Sequence, residues 1–116
     1  MHTDSELSKV TDSIKEAALR LFSQNLKRVI LYGSYARGDN DNESDIDVFV
    51  LVDMSTNELT GYNDELSRIA SRLSLETKRC TTVSITLQDL ATYNKYQEHL
   101  PYFINIAKEG VVLYAA

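Results

Sequence analysis

The chain has 116 residues, 43% hydrophobic and 25% charged, a composition that suits one soluble globular domain spanning 1–116 and burying about two thirds of its unfolded surface. No apolar run approaches the ~20 residues a membrane helix needs, and the start Met1-His2-Thr3-Asp4-Ser5-Glu6 lacks the basic flank and apolar core of a signal peptide, so the expected location is the cytoplasm. A net charge of -5 argues against a broad nucleic-acid surface, and a single cysteine, Cys80, with only His2 and His99, excludes an intramolecular disulfide and a zinc constellation.

Along the chain, Leu7, Val10, Ile14, Ala17, Ala18 and Leu21 recur at helical spacing behind a Thr3/Glu6 capping box, which predicts an amphipathic helix over 3–24. Residues 25–28 read as a connection into a short apolar strand, 29–32. A polar loop follows, and a second apolar run extends to Asp53. Ser55 with Glu58 forms another capping box, and Leu59, Tyr62, Leu66, Ile69, Ala70 and Leu73 predict one long helix to about Leu75. Val83, Ile85 and Leu87 alternate with polar residues, the pattern of a strand over 82–87. Helices are expected at 88–96 and 99–108, the second with Pro101 in its first turn and Gly110 as its cap, before a short strand over 111–114. Tyr93, Tyr96, Tyr102, Phe103 and Ile106 read first as packing residues and second as a docking patch. This order implies an α/β (α+β) fold, a mixed β-sheet with helices packed mainly on one face.

The chemistry concentrates between the first two strands. Gly33-Ser34 directly follows a strand, where glycine permits a tight turn and the following N–H groups can face an anion. Beyond the loop, Asp47 stands among Ile46, Val48, Phe49 and Val50, although aspartate is depleted from strands and a buried carboxylate is costly without a partner. Residues i and i+2 of a strand share a face, so Asp45 and Asp47 project together, about 7 Å apart at Cα, where a divalent cation could sit between them. Magnesium suits such hard oxygen ligands. Arg37 could pair with phosphate or with one of these aspartates, and Ser44 could position the entry to the strand. Two other motifs fail: Asp39-Asn40 stands where a P-loop after Gly33 would need Lys-Ser/Thr, and 39–43 lacks the glycine and glutamate of an EF-hand loop.

Gly33-Ser34, ten intervening residues, and Asp45-Ile46-Asp47-Val48 resemble the signature of the DNA polymerase beta-like nucleotidyltransferase superfamily. The short length, the Gly33-Ser34-Tyr35-Ala36-Arg37-Gly38 form and the tail, Leu100-Pro101-Tyr102-Phe103 leading into 108–114, look most like its minimal nucleotidyltransferases. The resemblance implies the same small fold, with Asp45 and Asp47 as magnesium-binding catalytic carboxylates and Gly33, Ser34, Arg37 and Ser44 around the nucleotide. It also implies transfer of a nucleoside monophosphate from an NTP, ATP foremost, to an acceptor hydroxyl, and a HEPN-type helical protein as toxin to this chain's antitoxin. Relatives commonly carry a third carboxylate on a later strand, and here Ser84 occupies the matching place, with Asp89 a distant substitute. Either two carboxylates suffice, or the chain is a weakly active or inactive nucleotide-binding module that neutralises its partner by docking.

Overall fold

Helical spacing buries Val10, Ile14, Ala17 and Ala18 on one side of α1 (Asp4–Phe22) in the computed structural model, which describes residues 4–41, 45–78 and 81–116. Thr3 of the first capping box and Cys80 lie outside these residues. A 3-10 turn, Ser23–Asn25, leads into β1 (Leu26–Tyr32), which begins earlier than sequence predicts because Leu26 is fully buried and pairs with Val52. The remaining strands are β2 (Ile46–Val52), β3 (Val83–Asp89) and β4 (Val111–Ala115). They form one mixed sheet in the order β3-β2-β1-β4, with β1 antiparallel to β2 and β4, and β2 parallel to β3.

A parallel pair requires a crossover, supplied by α3 (Thr56–Thr60) and α4 (Asn63–Glu76). The expected single helix over this stretch is therefore two. Both halves of the Ser55/Glu58 capping box form, but the turn ends at Gly61, whose N–H reaches back to the carbonyl oxygens of Glu58 and Leu59.

The sheet is covered on both faces. Val29, Leu31, Ile46, Val48, Val50 and Val52 join the residues of α1 and α4 in the larger core. Ile30, Phe49 and Leu51 point the other way, onto α5 (Leu90–Tyr96) and α6 (Pro101–Glu109), where Tyr93, Phe103 and Ile106 complete a smaller aromatic core. The larger helices thus pack on one face, and the C-terminal pair closes the other. Burial on both faces explains why β2 reads as an unbroken apolar run after Asp47. Gly110, which follows α6, sits so close to the Ile106 carbonyl and an Ile30 methyl that a side chain there would collide with both.

Candidate active site

Strand alternation brings the site together at one end of the sheet. Asp47 lies opposite Tyr32 on β1 and beside Ser84 on β3, so all three side chains belong to the face that carries α6. Asp45, exposed and just before β2, is two residues from Asp47 and adds its charge there. The half-buried Asp47 carboxyl is pushed above the ordinary carboxylate range, first by loss of solvation and then by Asp45. Among the described residues it takes part in no ion pair.

Gly33 makes the turn between β1 and the four-residue helix α2 (Ser34–Arg37) at φ 80°, a conformation that favours glycine. A Cβ at Gly33 would stand 2.8 Å from Asp47 Oδ2, so the bare backbone leaves the carboxylate oxygen its space. Ser34 is half-buried at the first position of α2, and the Gly33 carbonyl accepts from the N–H groups of Ala36 and Arg37 at 3.1 Å. Ser44 lies outside the described residues. Arg37 is exposed; its Nε donates to Asp39 at 3.1 Å and its Nη1 to Glu109 at 3.3 Å, which ties α2 to the end of α6. These hydrogen bonds hold the guanidinium above its ordinary pKa. A cleft of about 200 Å³ opens beside the turn, lined by Tyr32, Gly33, Arg37, Tyr102, Asn105 and Glu109.

Three hydroxyls that sequence reasoning did not bring to the site gather next to Asp47. Tyr102 Oη of α6 donates to Tyr32 Oη at 3.1 Å, and Tyr32 Oη lies 3.5 Å from Thr86 Oγ1. Burial pushes the Tyr102 phenol above its usual range, reinforced by Tyr32 and by the charge of Asp47. Counting by twos from Ser84 would have placed Thr86 beside it, but Tyr32 joins this face only through the β1–β2 register, and Tyr102 arrives through the packing of α6, for which periodicity carries no signal. Asp89 is removed from the site. It pairs with Val52 at the other end of β2 and caps α5, accepting from the Thr92 N–H at 2.8 Å. Burial pushes its carboxyl up, but the hydrogen bonds outweigh that and hold it below the ordinary range. Among the described residues no three His, Cys, Asp or Glu side chains form a metal-binding group. The structure thus offers two carboxylates with a serine beside them, in an arrangement able to hold one hard cation and a phosphate chain.

The profile of the nucleotidyltransferase domain matches residues 11–114. Putative protein adenylyltransferase MJ0604 of Methanocaldococcus jannaschii is 31% identical over 105 residues, 88% of this chain and 95% of that protein. MJ0141 of the same organism, also named a putative protein adenylyltransferase, is 42% identical over 72 residues, 61% of this chain and 70% of that protein. A toxin–antitoxin crystal structure with AMP-PNP superposes with a TM-score of 0.57 at 21% identity, covering 91% of this chain and 73% of that one. A nucleotidyltransferase structure from Sulfolobus solfataricus, described as putative, gives a TM-score of 0.50 at 19% identity, covering 96% of this chain and 85% of that one. At such identities the two structures speak for the fold.

Proposed function

This chain belongs to the nucleotidyltransferase domain family, and from that premise we propose that it transfers AMP from ATP to a hydroxyl on a partner protein. The observation that carries this reading is Asp47: a half-buried carboxylate with a second carboxylate two residues away and no ion pair among the described residues. Such a pair fits Mg²⁺, held by Asp45 and Asp47; when bound, the ion would neutralise phosphate charge and orient the phosphate chain. The chain's own residues do the rest. Gly33 keeps the corner beside Asp47 open, and Gly33-Ser34 grips the β- and γ-phosphates. Arg37 reaches phosphate by exchanging its contact with Glu109. Nucleotidyl transfer by this arrangement depends on positioning and charge neutralisation. The names of the two archaeal relatives support a protein acceptor, and the toxin–antitoxin fold neighbour supports an antitoxin role. The partner we propose is a HEPN-type helical toxin in the cytoplasm.

The register of Ser84 against Asp47 favours a second reading, a slow or inactive module that binds nucleotide and neutralises its partner by docking. A single-turnover assay with α-labelled ATP and the co-purifying partner separates the two. For transfer, the wild type labels the partner, Asp47→Asn does not, and Ser84→Asp with Mg²⁺ raises the rate by about 10²- to 10⁴-fold, the usual size of an acid–base contribution. An unlabelled partner throughout would leave docking.

A further inference from the structure

Several hydroxyls of this chain share the face of the sheet that carries Asp47. Of the hydroxyls on this face, Ser84 is a short, half-buried side chain near the start of the edge strand β3, and Thr86 is half-buried near Tyr32. Tyr102 differs from both. It is 43% exposed, stands on a helix at the rim of the cleft that includes Gly33, and is close enough to Asp47 to feel its charge. Its ring is braced edge-on against Tyr32 at 6.0 Å and against Phe49 at 6.2 Å, so the hydroxyl is held toward the carboxylate end of β2. Tyr102 Oη donates its hydrogen to Tyr32 Oη and interacts with the Thr86 hydroxyl; a phenol oxygen has two lone pairs, so one is left to face an electrophile.

We propose that Tyr102 is a self-modification site: in the absence of another acceptor, its hydroxyl takes the nucleotidyl group from the triphosphate bound at Asp45 and Asp47. The inference rests on the nucleotidyl-transfer reading above and identifies one of the site's own acceptors. A lone pair on Tyr102 Oη forms the bond to the α-phosphorus, and the bond from that phosphorus to the bridging oxygen breaks, its electrons leaving with pyrophosphate. The phenolic proton passes to Tyr32 Oη as Tyr32 releases its own toward Thr86 and water. The product is a tyrosyl phosphodiester. A phenol that keeps its proton until bond formation is compatible with the loose transition state of transfer at phosphorus, where the nucleophile contributes little covalent bonding.

The test incubates the full chain with Mg²⁺ and ATP labelled at the α-phosphate, then follows intact mass and the labelled peptide. Label is expected to approach one nucleotidyl group per chain, on Tyr102, at a rate per molecule independent of protein concentration. Tyr102→Phe, which keeps the ring, and Asp47→Asn should both lose it, while Tyr96→Phe on the exposed end of α5 should retain it. Label on another residue, label surviving in Tyr102→Phe, or a rate rising with protein concentration would overturn the inference. So would an unlabelled wild type. If that unlabelled protein still binds Mg·ATP through Asp47, the proposed function stands without self-modification; if it does not, both fall.

Discussion

At the corner between β1 and α2, the missing side chain of Gly33 leaves the Asp47 carboxylate its space. Gly33 has a positive φ, and a Cβ there would press on Asp47 Oδ2. Gly33→Ala should therefore cost about 1–3 kcal/mol for the positive-φ, extended-ψ backbone alone, a region that is essentially glycine-only. It should also weaken Mg·ATP binding by displacing the carboxylate. Urea unfolding and calorimetry on the same variant check both; unchanged stability would refute the strained turn. Asp47 has its own pH signature. Its folded-state pKa is raised, so the folded state binds the proton more tightly than the unfolded chain, and the penalty is fully present above the folded pKa. That penalty is relieved as pH falls through the folded pKa toward the ordinary range of an aspartate. Asp89, with its lowered pKa, acts in the opposite sense and below that range, so the two windows do not overlap. Without metal, Asp47→Asn should melt higher than wild type at neutral pH, with the gap closing on acidification. A gap that is constant with pH would show that Asp47 titrates normally.

Among the elements, those set by local chemistry could be read from the sequence, and those set by packing could not. The apolar stripe of α1, the Ser55/Glu58 box and the alternation of β3 each lie in neighbouring residues, and all three appear in the fold. The same alternation puts Ser84 beside Asp47 once β2 and β3 pair in parallel. The amphipathic spacing from Leu59 to Leu73 runs straight through Gly61, so it conceals the break between α3 and α4. Lys27 and Arg28 disguise the start of β1, whose membership depends on pairing with β2 rather than on its own composition. Periodicity likewise shows that α6 has an apolar side without telling which face of the sheet it covers. That placement matters because α6 brings Tyr102 and Glu109 to the site. Phe103 anchors it, buried with ring contacts to Phe49, Tyr93 and Tyr102. Phe103→Ala should destabilise the fold by about 3–5 kcal/mol, the usual range for a buried phenylalanine. A loss below about 1 kcal/mol in urea unfolding would mean that the second face is not a packed core.

For the whole molecule, charge sets the terms of function. The chain carries -5 overall, and Asp45 and Asp47 add a local concentration of negative charge at the mouth of the site. A nucleoside triphosphate is itself strongly anionic and would be repelled unless a cation sits between the two. No helix among the described residues is long and apolar enough to cross a membrane. The proposed function therefore requires metal-dependent nucleotide binding through the Asp45 and Asp47 carboxylates. Calorimetric titration of ATP with and without Mg²⁺, on wild type and Asp47→Asn, tests it most directly. The expected result is binding by wild type only with Mg²⁺, and loss of that dependence in a variant that still folds; equal Mg·ATP binding by both proteins would contradict it.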